Sequence, residues 1–152
     1  MKITDQIKIK GHVKFTLRDI VTGKKRVIEY DNLVTTVGRQ MIADNLTNAA
    51  PDNTPRINWV SLGSGTTAPT NGDTALETFT YANAIASETN SANIAYFTGF
   101  FDATETDGTY KEAGLFADST DGTDGILFSH VAIDITKSVT ETLTVDWTVT
   151  LT

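Results

Sequence analysis

The segment TETLTVDWTVTLT, residues 140–152, decides the class of fold. Leu143, Val145, Trp147, Val149 and Leu151 fall on one side of an extended chain, and Thr142, Thr144, Asp146, Thr148, Thr150 and Thr152 on the other. Alternation with period 2 over this length belongs to a strand with one buried and one wet face, and threonine is a favourable residue for the wet one. The spacing predicts a strand running to residue 152.

The same pattern recurs through the chain. Between Ile7 and Arg18, the set Ile7, Ile9, Val13, Phe15 and Leu17 alternates with Lys8, Lys10, His12, Lys14, Thr16 and Arg18, a strand with a basic wet face. VTGKK, centred on Gly23, reads as a hairpin turn into a second strand at Arg26–Leu33, so the first two strands pair antiparallel. INWVSLG reads as a buried strand, and others are predicted near Thr78–Ile85, Asn93–Phe101, Thr109–Phe116 and Ile126–Ile135. Asp107-Gly108 and the DSTDGTDG loop at 118–125 supply turns. Only TVGRQMIADNLT, residues 36–47, departs from period 2: Val37, Met41, Ile42 and Leu46 share one side at helical spacing, with Thr35 or Thr36 as N-cap. The polar NAAPDNTPR that follows breaks this helix. About eight antiparallel strands and one short helix predict a single β-sandwich domain over residues 1–152.

Composition bounds the function. With 152 residues, 39% hydrophobic and 20% charged, the chain suits one globular domain with a substantial core. No apolar run approaches the roughly 20 residues of a membrane span. MKITDQIKIKGH lacks the apolar centre of a signal peptide, so synthesis in a cytoplasm is expected. The absence of cysteine excludes disulfides, thiolate metal sites and cysteine nucleophiles.

A net charge of −7 argues against nucleic-acid binding. The charge is uneven: residues 1–56 hold ten of the twelve Lys and Arg against six acids, a balance of +4, and residues 57–152 balance to −11. Lys8, Lys10, Lys14, Arg18, Lys24, Lys25 and Arg26, with Lys2 outside the strands, thus predict a docking surface for an acidic neighbour or for the acidic face of another copy, the alternative being two solvated faces.

Candidate chemistry is sparse. WVSLGSGTTAPTNGD, residues 59–73, places Gly63, Gly65 and Ala68 after an apolar run, the minimal spacing of a dinucleotide fingerprint. A helix must open at the second glycine, yet Thr66, Thr67, Pro69, Asn71 and Gly72 follow, and no lysine lies between Arg56 and Lys111 for a Walker loop. The stretch reads as a strand end followed by an extended surface loop.

Ser129 and His130 are adjacent on a strand and point to opposite faces, which excludes a dyad. His130 and Asp134 share a face and are expected to decorate a surface. Glu105, Asp107 and Glu112 flank a turn, where solvated acids sit. Asp118, Asp121 and Asp124 are weak calcium candidates, since they lack the alternating spacing and distal glutamate of an EF-hand loop. Alternation sends Tyr96 and Phe100 one way and Phe97 and Phe101 the other, so the aromatic strand is either sandwiched or covered by another subunit, which marks Tyr96 and Phe100 as interaction residues. Stacking of a glycan on Tyr81 or Tyr110 is the alternative use of the aromatics.

The order of segments NLVTTVGRQMIADNL, LGSGTTAPTNGDTALE, an aromatic strand, KEAGLFAD and DITKSVTETLTVDWTVTLT resembles a family of small virion proteins of tailed bacteriophages, labelled tail-fibre, baseplate or head-decoration proteins. The resemblance covers roughly residues 30–152. It implies a non-enzymatic, β-rich, self-associating building block of the virion, with other virion proteins as partners and with no cofactor, metal or catalytic residue carried over. A capsid decoration protein and a module binding a host-surface glycan are the alternatives, and neither nucleic acid nor membrane is an expected partner.

Overall fold

In the computed structural model the described residues are 1, 6–47 and 55–152. Lys2 and the first seven residues of the predicted NAAPDNTPR break lie outside them. Nine strands and one helix follow in the order β1 (Ile9–Asp19), β2 (Lys25–Val34), α1 (Thr36–Thr47), β3 (Ile57–Gly63), β4 (Phe79–Ala84), β5 (Ser87–Ser91), β6 (Ile94–Phe101), β7 (Gly108–Ala117), β8 (Ile126–Lys137) and β9 (Glu141–Leu151). No described helix is long and apolar enough to cross a membrane.

All pairings are antiparallel, and the strand order is β4-β3-β7-β8-β2-β1-β9-β6-β5. β2 turns the corner between two layers: it pairs with β1 from Lys25 to Asn32 and with β8 only at Leu33 and Val34. At the far end the chain passes from β4 into β5, and the Ala86 amide donates to the Thr98 carbonyl at 2.8 Å, while the Asn83 side chain reaches the Phe100 carbonyl at 2.8 Å. The sheet therefore curls back on itself as an all-β sandwich, as the alternation predicts.

The inward faces follow the sequence pattern. Val13, Phe15 and Leu17 of β1 and Leu143, Val145 and Trp147 of β9 are buried, facing Leu62, Leu115, Tyr110 and Ile135 of the other layer. Burying a side chain of this size contributes about 1.5–3 kcal/mol, so β1 and β9 on one layer and β7 and β8 on the other each supply a large share of the core. Phe15 meets Tyr30 edge-on, with ring centroids 6.0 Å apart. Gly23 has φ +73°, the left-handed conformation a hairpin turn needs.

The helix spans the predicted residues, and its cap is Thr35. That hydroxyl accepts from the Gly38 amide at 3.0 Å and donates to the Leu127 carbonyl at 2.5 Å, which pins the helix start to β8. Gly38 is buried with no room for a Cβ against the Phe128 backbone.

Two expectations need correction. β5, SETNS, is a ninth strand; all five residues are exposed, so no apolar alternation marks it. Ile7 and Leu46 do not join the core: they are 78% and 80% exposed, because β1 begins only at Ile9 and α1 touches the sheet through its first turns. Lys137 is buried at the opposite end of the fold, where its ammonium donates to the carbonyls of Ala103, Glu105 and Thr106.

Candidate functional site

The two most distinctive stretches of the sequence meet at one buried carboxylate. Glu112 lies on β7, in KEAGLF, and its side chain points outward from the sheet beneath residues 64–78. One carboxylate oxygen accepts from the amides of Gly65 at 3.0 Å and Thr78 at 2.7 Å; the other accepts from the Glu77 amide at 3.0 Å and faces His130 Nε2 at 2.9 Å. The loop is therefore folded around the Glu112 carboxyl group.

This arrangement explains the glycines. A Cβ on Gly63 would stand 2.5 Å from Glu112 Oε1, and one on Gly65 would collide with the same oxygen and lie 2.5 Å from Glu77 Cβ. The stretch read as an extended surface loop instead folds around a carboxylate, and that carboxylate is a side chain of the same protein. The physics is that of a phosphate loop: backbone N–H groups approach the oxygens closely because no side chain intervenes.

His130, on β8, extends the cluster. Its Nδ1 faces Asp73 Oδ2 at 2.7 Å, opposite the Glu112 contact, and the side chain is 4% exposed. An ionised carboxylate only accepts, so both contacts are satisfied when both ring nitrogens carry a proton. Asp73 also accepts from the Thr70 amide at 2.9 Å and hydroxyl at 2.6 Å. Burial alone would raise the Asp73 carboxyl pKa, but the Thr70 bonds and the neighbouring imidazole outweigh it and hold it below the ordinary value. Glu77 likewise is lowered, by the amide and hydroxyl of Thr67.

The chemistry open to this cluster follows from its geometry. Both nitrogens of His130 are occupied by carboxylates, which leaves neither to take a proton from a nucleophile. The Thr67 hydroxyl beside the small cavity over His130 donates to Glu77 rather than to the imidazole. As arranged, the residues lock the loop to the sheet.

His130 and Glu112 are thus placed differently from the expectation of a surface histidine and a solvated acid. The loop covers the outer face of β7 and β8, so alternation correctly puts His130 and Asp134 on one face, but only Asp134 reaches solvent, where it meets Lys111 at 2.7 Å. Of the other acids, Glu105 accepts from the Asp102 amide at 2.7 Å, and Asp107 is exposed.

The calcium candidates do not converge. Asp124 binds the Ser119 hydroxyl at 2.7 Å and the Thr120 amide at 2.6 Å, Asp121 binds the Thr123 amide at 2.9 Å, and Asp118 accepts from the Arg56 amide at 3.3 Å. Each carboxylate is turned into its own loop contact, and the described residues contain no group of three metal-binding side chains. The Ser119 and Thr120 bonds hold the Asp124 carboxyl at a pKa of about 2.

The predicted interaction residues divide. Lys10, Lys14 and Arg18 lie on the outer face of β1 beside β9, and Lys14 pairs with Asp146 at 3.4 Å. Arg26 is engaged by Glu141 at 2.9 and 3.0 Å and by the Thr136 carbonyl. Lys8 precedes β1, and Lys24 and Lys25 flank the hairpin turn. Tyr96 and Phe100 are 40% and 43% exposed on the same outer face, opposite Thr148 and Thr144, while Phe101 is fully buried. In this chain, then, one side of the aromatic strand is core and the other is open. Tyr110 is 1% exposed, which removes it as a glycan-stacking residue, and Tyr81 packs against Phe101 with centroids 6.1 Å apart.

Compared with models of protein families, with curated proteins and with solved structures, the chain gives no match.

Proposed function

We propose that this chain is a non-enzymatic structural protein of a tailed-phage virion, a tail-tip, fibre or baseplate component that assembles with copies of itself and with neighbouring virion proteins. The reading rests on the sequence resemblance, and one structural observation supports it: the distinctive residues of the resembling segments are spent inside the fold. Thr35 and Gly38 of NLVTTVGRQMIADNL seat the helix on β8, and Gly65 and Glu77 of LGSGTTAPTNGDTALE fold around Glu112 of KEAGLFAD. A pattern that specifies architecture in this way suits a building block, whose working parts are faces.

The face offered is the outer side of β6, β9 and β1. Tyr96 and Phe100 supply exposed aromatic surface, the threonines of β9 a flat middle, and Lys10 and Arg18 a cationic flank for an acidic neighbour. Antibody labelling of purified particles tests the assignment. Label on the tail is expected; label confined to the head would replace the tail reading by capsid decoration, and particles without the protein would overturn both.

A further inference from the structure

The loop over β7 and β8 is pinned at its neck and latched at its tip. At the neck, Glu112 accepts from the amides of Gly65, Glu77 and Thr78, the Ser64 amide donates to the Thr78 carbonyl at 2.9 Å, and the Thr67 amide donates to Glu77 at 2.8 Å. The tip, residues 68–76, is largely exposed, with Pro69, Asp73 and Leu76 half-buried. Among the described residues two hydrogen bonds hold it to the rest of the chain: Asp73 Oδ2 meets His130 Nδ1 at 2.7 Å, and the Asn71 carbonyl accepts from the Thr36 amide at 2.8 Å.

Each ring nitrogen of His130 lies within hydrogen-bond distance of a carboxyl oxygen, so each contact needs one proton, whichever partner holds it. The closed cluster therefore carries two protons. With only one, a ring lone pair would face a carboxylate lone pair at 2.7 or 2.9 Å. The two contacts do not yield equally. Glu112 is 1% exposed and fixed by three amides, whereas Asp73 is 25% exposed and can turn to water. The last proton thus stays between Glu112 and Nε2, and Asp73 lets go. No cation stands by to compensate: the other ionisable group facing the imidazole is Glu77, across a cavity of about 150 Å³. Asp134, further along β8, is held by Lys111; β2 faces His130 with Leu33, and α1 meets β8 at Phe128 through Gly38.

We propose that residues 68–76 are a pH-gated flap, latched while a proton lies between His130 Nδ1 and Asp73 and released when that proton leaves. The closed flap binds one proton more than the open one, in which Nδ1 meets water. Asp73 remains a carboxylate through the neutral range: burial alone would raise its pKa, but Thr70 and the imidazole hold it below the ordinary value. A solvent-exposed imidazole gives up its second proton at about pH 6.5. Closure is therefore at full strength on the mildly acidic side of that pH and weakens above it, the opening constant rising about tenfold per pH unit until the closed cluster also loses the proton. Opening exposes the cavity over His130 and takes from α1 the acceptor of its first amide.

NMR of the full chain from about pH 6 to about pH 9 tests this, with the nitrogen shifts of the His130 ring showing which nitrogens carry a proton and amide hydrogen exchange following the flap. The Thr36 amide reports the tip, because its acceptor is Asn71; Gly65 and Thr78, held by Glu112, report the neck. Once the intrinsic pH dependence of exchange is divided out, Thr36 protection should fall about tenfold per pH unit above about pH 6.5, while Gly65 and Thr78 keep theirs. His130→Gln has no ring proton to lose, so its Thr36 protection should not vary with pH. Thr36 protection that stays flat across the range, an Nδ1 without a proton at about pH 6, an equal slope in His130→Gln, or simultaneous loss at Thr36, Gly65 and Thr78 overturns the inference. The titration of the parent chain decides the question even where His130→Gln does not fold, and particle labelling reads the virion assignment separately.

Discussion

Replacing Glu112 by Gln tests whether the buried carboxylate organises the loop. The substitution keeps the shape and removes one acceptor oxygen from a side chain that is 1% exposed. In one orientation the new NH₂ faces the Glu77 amide and His130 Nε2; in the other it faces the amides of Gly65 and Thr78. In the first the Glu77 amide is left facing a donor, and in the second the amides of both Gly65 and Thr78 are. Hydrogen bonds to a charged group contribute about 1.5–3 kcal/mol each, and leaving the donors buried and unmet is the more expensive part. Rotation of the amide and entry of water through the cavity above His130 recover a fraction, so a loss of about 2–4 kcal/mol is expected. For a chain of this length each kcal/mol lowers the melting temperature by about 2–4 °C, giving a drop of roughly 4–16 °C. Circular dichroism melts measure the drop, and amide hydrogen exchange locates it: Gly65, Glu77 and Thr78 should lose protection while the β1–β9 amides keep theirs. The control is Lys111→Gln, which breaks an exposed ion pair on the neighbouring position and should cost under about 1 kcal/mol. A Glu112→Gln protein within about 0.5 kcal/mol of the parent, with those three amides still protected, would refute the clasp.

Gly65→Ala should destabilise by about 1–3 kcal/mol in urea unfolding, since its methyl must displace Glu112 or Glu77 from a filled site. The folded-state carboxyl of Asp73 lies below its ordinary pKa of 3.8. Its contribution is therefore complete above about pH 4 and lost as pH falls through the lower folded value; Asp73→Asn should flatten that part of the acid-stability curve. Asp124, held at about 2, should titrate by NMR near that value, and its loop contacts with Ser119 and Thr120 should survive at pH 3. On the open face, Tyr96→Ser with Phe100→Ser should leave the melting temperature within a few degrees of the parent, because both side chains are already about two-fifths exposed, and should abolish incorporation into particles.

What the sequence disclosed and what it withheld divide along one physical line. Alternation reports which side of a strand faces the core, so Val13, Phe15, Leu17, Leu143, Val145 and Trp147 could be placed from spacing alone. The helix was legible for the same reason, with Thr35 as its cap. Alternation cannot report what lies over the other side. β7 and β8 are covered on their outer face by residues 64–78, and a polar residue beneath such a cover has the same period as one in water; hence Glu112 and His130 resemble solvated residues in the sequence while being the most enclosed acid and imidazole of the cluster. A signal was nevertheless present. Gly63 and Gly65 after a strand demand a close approach to something, and when no helix or lysine follows to bind a phosphate, an internal carboxylate is the remaining anion that such a backbone can hold. The converse failure is β5, whose residues are all exposed: nothing apolar marks SETNS, and only the pairing partner Ile94–Thr98 makes it a strand. Packing on one face is written in a sequence as a period, whereas burial beneath a loop is written only as an unexplained glycine.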